Sequence, residues 1–238
     1  FKKLSTAPLS TGVVSVGRGG VEENFINGDP PVRALYVSSE LSDGSHVVDV
    51  IAYQQGKLTN ISLAPETGIS RETLSRYVDL EPSDVNGDGV LELPQPSPLP
   101  GQEDSTSSDY WLIDWYQYDS SGQRIEVCTT YHNVTDGWYL IIPNTWKDYI
   151  TISRYDAISG QRAVIFYHLE GSGAPSPFLV IYKFTSQTNR ANTSNRFILR
   201  EEENAVYAAS FYNSSWDCGM DETELVSAFK LIQSGWSD

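Results

Sequence analysis

Nine residues near the middle of the chain, Asp84-Val85-Asn86-Gly87-Asp88-Gly89-Val90-Leu91-Glu92, place oxygen-bearing side chains at alternating positions and then a terminal glutamate. If the segment curls, Asp84, Asn86 and Asp88 converge on one point, Gly89 supplies the sharp turn, Val90 offers its backbone carbonyl, and Glu92 closes the shell from the next strand. Hard oxygen donors of this kind select Ca²⁺ over softer metals. The same residues also suit a turn whose polarity is local, because Asn, Asp and Gly each favour tight turns. The alternation and the closing glutamate go beyond what such a turn requires.

The spacing matches the first nine positions of an EF-hand loop. Position twelve is Gln95 rather than a bidentate glutamate, and Pro94, Pro96 and Pro98 forbid the exiting helix. An EF-hand or dockerin is therefore disfavoured, and a calcium loop between strands is the expectation.

Other chemistry is sparse. His46, His132 and His168 each stand alone in strand-like surroundings, without a second histidine at ligand spacing. The sequence holds no nucleophile elbow, zinc-protease helix, Walker loop or dinucleotide fingerprint. Gly17-Arg18-Gly19-Gly20 is followed by neither Lys-Ser/Thr nor a helix, which argues against a phosphate cradle. Asp114, flanked by Trp111, Trp115 and Tyr116, is the acid an aromatic lining could desolvate. That arrangement would suit a carbohydrate-binding module or a glycoside hydrolase. Strand alternation instead turns Asp114 outward to solvent. Cys128 and Cys218 fit no CxxC pattern and are read as two buried thiols, with a disulfide as the alternative. Glycosylation sequons occur at Asn60, Asn133, Asn192 and Asn213.

The formal net charge of −15, from 16 Lys+Arg against 31 Asp+Glu, opposes binding to phosphate backbones and anionic lipid. With 39% hydrophobic and 12% aromatic residues the chain is too apolar for disorder. No apolar run approaches the ~18 residues of a membrane span. At 238 residues it can bury a real core without staples.

The elements that must position these residues repeat with period two. Strands are expected at 32–37, 47–53, 57–63, 110–118, 125–131, 138–142, 149–153, 163–167, 178–184, 196–199 and 206–212, rich in Val, Ile, Tyr, Phe and Trp. Ser42-Asp43-Gly44, Gln55-Gly56, Ser121-Gly122 and Ser159-Gly160 supply tight turns. Ser-Gly-Gln-Arg occurs at both 121–124 and 159–162, each copy reading as a hairpin tip. One helix is expected from Asp221, with Glu224 completing a capping box. Leu225, Val226, Phe229 and Ile232 would share its buried face, and Gly235 would stop it. Residues 70–77 suit a short helix or a strand. Pro94–Asp109 reads as an exposed loop, and Glu201–Glu203 as a solvated turn. The fold class is α+β and β-rich, with antiparallel sheets that form a blade-like or sandwich N-terminal part, and a C-terminal α+β domain ending in a helix. The preferred partition is a β domain over 1–135 and an α+β domain over 136–238.

Two resemblances attach to these motifs. Asp84–Glu92 followed by Leu93-Pro94 resembles the calcium loops of FG-GAP/VCBS-type repeats, the blades of integrin-like propellers, frequent in extracytoplasmic bacterial lipoproteins. Ser42–Val50 resembles a degenerate copy lacking the acidic ligands. Gly137–Trp146 resembles the opening strand of PsbP-like α+β domains, which implies packing roles for Trp138 and Trp146. Together they imply a non-enzymatic, monomeric cell-surface binding or scaffold protein with a structural calcium site and a protein or glycan ligand. They also imply lipid anchoring or secretion through a signal upstream of Phe1.

Overall fold

The computed structural model describes residues 5–75, 80–104, 110–171, 173–185 and 195–232. In chain order the strands are β1 (Val13–Ile26), β2 (Val32–Leu41), β3 (His46–Gln54), β4 (Lys57–Asn60), β5 (Thr73–Leu74), β6 (Leu93–Pro98), β7 (Trp111–Tyr118), β8 (Arg124–Asn133), β9 (Trp138–Ile142), β10 (Ile150–Ile158), β11 (Gln161–His168), β12 (Ser176–Phe184), β13 (Phe197–Glu201), β14 (Val206–Phe211) and β15 (Phe229–Leu231). The single α-helix among the described residues, α1, spans Glu222–Ala228. The strands form three antiparallel sheets, ordered β1-β2-β3-β4 with β5 beside β3, β15-β9-β8-β7-β6, and β10-β11-β12-β14-β13. The β-rich class read from the period-two pattern is therefore observed.

Contacts divide the chain into two compact units. One draws on Phe1–Pro96 and Ile113–Cys128, the other on Ser97–Leu112 and Thr129–Ser234. In the first, Ile26, Tyr36, Val48, Val50, Leu91, Leu93 and Tyr118 form the core, and Val85, Ile113 and Trp115 form a second apolar group. The β3–β4 hairpin turns through Gln55 (φ 50°) and Gly56 (φ 77°). Two consecutive positive φ values are the backbone a two-residue hairpin needs. Both Ser-Gly-Gln-Arg copies lie at hairpin connections, between β7 and β8 and between β10 and β11.

In the second unit the core is aromatic. Trp138, Trp146, Tyr131, Phe166 and Phe178 are buried, with Trp146 edge-on to Phe178 at 4.9 Å and Tyr131 edge-on to Phe166 at 5.4 Å. These are the preferred geometries for ring quadrupoles. Trp146 also donates its indole N–H to the Cys218 carbonyl at 2.7 Å. Trp138 and Trp146 thus have the packing role expected of them.

Three expectations are corrected, and one open alternative is decided. The helix ends at Ala228 instead of running toward Gly235, which lies outside the described residues. Its capping box forms as read, with Asp221 Oδ1 accepting from the Glu224 amide at 2.9 Å and Glu224 Oε2 from the Asp221 amide at 2.8 Å. A seven-residue helix gains little by itself. Phe229–Leu231 instead pairs with β9 and buries the Phe229 ring against Trp138, while Val226 is exposed. Second, the stretch read as a loop from Pro94 begins as strand β6. β6 is the last strand in its sheet order, and its prolines fall at alternate positions 94, 96 and 98. Their missing N–H groups therefore all point to the unpaired side, where a strand tolerates proline. Third, of the helix and strand both left open for 70–77, Thr73–Leu74 takes the strand and pairs with β3, while residues 76 and 77 lie outside the described residues. Fourth, Asp114 is buried, because β7 is covered along nearly its whole length.

The second unit is organised around Asp136, in a 3-10 turn (Val134–Asp136) whose preceding residue Asn133 accepts the Asp136 amide. The Asp136 side chain is 3% exposed and lies 2.9 Å from Arg162 Nε, 3.8 Å from Arg154 Nη2 and 4.0 Å from Lys183 Nζ. Its carbonyl accepts from Lys183 Nζ at 2.7 Å and from the Tyr207 hydroxyl at 2.9 Å. One turn is thereby tied to β10, β11, β12 and β14. Removing one partner of a buried ion pair typically costs about 3 kcal/mol or more. Asp136→Asn is expected to lower unfolding free energy by about that amount, read from a shifted denaturant midpoint at unchanged m-value.

Candidate metal centre

Asp84–Glu92 is an Ω-shaped excursion closed at its base by Ser83 and Glu92, whose amides donate to each other's carbonyls at 2.9 Å. Val85, Val90 and Leu91 are buried and pin the loop, and Leu93 continues it into β6. Gly87 (φ 81°) and Gly89 (φ 83°) take left-handed conformations that let the chain double back.

Within this turn the acids converge. Asp84, Asp88 and Glu92 each present a carboxylate oxygen within 4.8 Å of the others. Asp84 Oδ1 accepts from the amides of Gly87 (2.7 Å) and Asp88 (3.1 Å), and its Oδ2 from Gly89 (2.9 Å). Asn86 points inward within the turn, accepting from the Asp88 amide at 2.8 Å and donating to Asp88 Oδ2 at 2.9 Å. Val90 donates its amide to Asp88 Oδ1 at 2.8 Å. Asp84, Asp88 and Glu92 from the expected ligand set are thus gathered at one point, with Asn86 bonded to their edge.

A residue the motif did not reveal completes the arrangement. Gln117, on β7 and 2% exposed, donates through Nε2 to Asp88 Oδ2 at 2.8 Å and to Glu92 Oε1 at 2.5 Å. Its own carbonyl accepts from Asn27 Nδ2 at 3.0 Å. Gln117 lies outside the loop's sequence pattern, so no local signal marks it; strand pairing alone delivers it.

Electrostatics separates Glu92 from Asp88. Burial pushes the Glu92 carboxyl up to about 7, with the charges of Asp88 and Asp84 adding to the shift against hydrogen bonds from Val85 and Gln117. Partial burial also raises Asp88, but hydrogen bonds from Gln117, Asn86 and Val90 outweigh it and hold that group below its ordinary value. Three carboxylates this close repel unless one is protonated or a cation joins them. These are oxygen donors of the kind a hard divalent cation takes: Asp84, Asp88 and Glu92 could hold one, and it would supply counter-charge.

Elsewhere the chemistry is quiet. Trp111 and Trp115 are buried, so they offer no ring face for a sugar beside Asp114. His132 is buried and stacked on Tyr139 at 5.1 Å, with burial holding its imidazole down at about 3. His168 stacks on Trp216 at 4.3 Å. Cys128 and Cys218 are both free and half-buried, so no disulfide joins them. Burial raises both thiols, Cys128 to about 12, which suppresses the nucleophilic thiolate. Gly17–Gly20 lies within β1, at a break in its register with β2.

Among known proteins, no family model, no curated protein and no solved structure matches this chain.

Glu92 contributes a pH response near neutrality. Its folded pKa of about 7 lies above the unfolded 4.5, so this group's contribution is fully present below pH 4.5 and is lost as pH rises through 7. A carboxyl-carbon NMR titration in chelator should place the Glu92 transition near pH 7, with Glu92→Gln removing that resonance. A transition near pH 4.5 contradicts the buried assignment.

Proposed function

We propose that this chain is a non-enzymatic extracytoplasmic binding or scaffold protein whose first unit is stabilised by calcium held at Asp84, Asp88 and Glu92. The carrying observation is the convergence of those three carboxylates within 4.8 Å on a loop pinned by buried apolar residues. Asn86, by its place in the alternation, and the Val90 carbonyl, by its match to an EF-hand loop position, complete the proposed shell. The partner is a protein or glycan at the cell surface. The chain acts there as a monomer, lipid-anchored or secreted, with blade-like sheets and a PsbP-like C-terminal part.

Calcium has a structural role in this reading. It binds the folded loop and not the unfolded chain, whose ligands are dispersed, so mass action stabilises the fold. At calcium one hundred times its dissociation constant the gain is about 2.7 kcal/mol, or about 5–10 °C in melting temperature for a chain of this size. Adding millimolar Ca²⁺ to chelator-treated protein is expected to produce such a rise, with Mg²⁺ producing less because it demands tighter octahedral geometry. Asp88→Ala should abolish the rise. Superimposable melting curves in Ca²⁺ and EDTA would sink the proposal.

A further inference from the structure

A second charged constellation has the opposite sign. Arg162 and Lys183 are directly opposed partners across β11 and β12. Like charges in that register repel. Asp136 contributes one negative charge between them, so these three groups together retain one positive charge. Glu202, the other acid acting on neighbouring Tyr207, pairs with Arg200 at 3.0 Å. This surplus sits in a chain of net charge −15.

Donors are in surplus as well. Arg162 approaches Asp136 through Nε, and its side chain is 38% exposed. Lys183 gives one hydrogen bond to the Asp136 carbonyl and lies 4.0 Å from its carboxylate. Burial lowers the Lys183 pKa; Asp136 opposes that shift and Arg162 adds to it.

We propose that Arg162 and Lys183 form an oxyanion-binding subsite that takes one carboxylate or phosphate group, with Asp136 holding both cations in position. A guanidinium fork matches the paired oxygens of either group, and the ammonium adds a point charge beside it. The ligand is small and carries a single anionic group. The chain's overall charge repels polyanions, whereas screening over about 8 Å at physiological salt leaves the local surplus in force. This subsite is independent of the calcium loop.

The test is an NMR shift titration of the full chain with inorganic phosphate and, separately, acetate, at constant ionic strength balanced with chloride. Saturable shifts centred on β11 and β12 are expected, with millimolar dissociation constants. Phosphate and acetate affinities then tell which oxyanion the subsite prefers. Arg162→Gln should weaken binding by about tenfold. Arg162→Lys, which keeps the charge that Asp136 needs but loses the fork, should weaken it several-fold while the protein stays folded. Arg33→Gln, at the exposed pair with Glu23 in the other unit, should change nothing. Shifts no larger than those of chloride for both anions, or affinities unaltered in folded Arg162 variants, overturn the proposal.

Discussion

Taking a carboxylate out of water costs several kcal/mol unless hydrogen bonds or a counter-charge replace the lost solvation. Each compact unit of this protein carries that cost at its centre and meets it differently. Asp136 is surrounded by cations from β10, β11 and β12. Glu92, fully buried, has no cationic side chain beside it among the described residues and is met by the Val85 amide and the Gln117 carboxamide. Neutral donors compensate a charge less completely than a cation does, and two further carboxylates press on Glu92. Its proton is therefore held to about pH 7. The same imbalance underlies the proposal that the loop takes a divalent cation.

The compensation recurs through the first unit and explains its polar interior. Asp49, fully buried, accepts from the Ser10 amide at 2.9 Å, the Ser10 hydroxyl at 2.8 Å and Asn60 at 2.8 Å. Buried Glu72 accepts from the Tyr118 hydroxyl at 2.6 Å and faces Arg124 at 3.3 Å, whose guanidinium lies 3.9 Å above the Tyr116 ring. Burial raises Glu72 even so, with Arg124 and Tyr118 opposing. Strand pairing brings these partners together across long sequence separations, so polar specificity depends on register. A one-residue slip would send the side chains of β7, Gln117 and Tyr118 included, to the opposite faces.

This changes the meaning of the net charge. An excess of fifteen negative charges describes the exterior and the partners it repels, and it conceals local fields of both signs. One acid cluster is the proposed calcium site, and one basic pair is the proposed oxyanion subsite. Both are small patches whose fields outrank the global charge within a screening length.

Much of the architecture was legible in residue order. Strands alternate with period two, glycine and Asx residues mark the hairpin tips, and Asp221 with Glu224 announces a helix start; each depends on neighbours only a few residues apart. The acidic loop was legible for the same reason, because its turn is closed by its own amides. The helix end was not: Phe229 leaves α1 because β9 offers a pairing edge and Trp138 a ring to bury against. Nor was β6, whose prolines signal a loop until the vacant side of the sheet is known. The burial of Asp114, the bridging of Asp88 and Glu92 by Gln117, and the cations around Asp136 belong to the same class. Sequence alone determined where the chain extends, turns and gathers carboxylates, since those follow from local sterics and hydrogen bonding. Tertiary structure decided which charges lose their water and what answers them, since partners tens of residues apart meet only when strands pair.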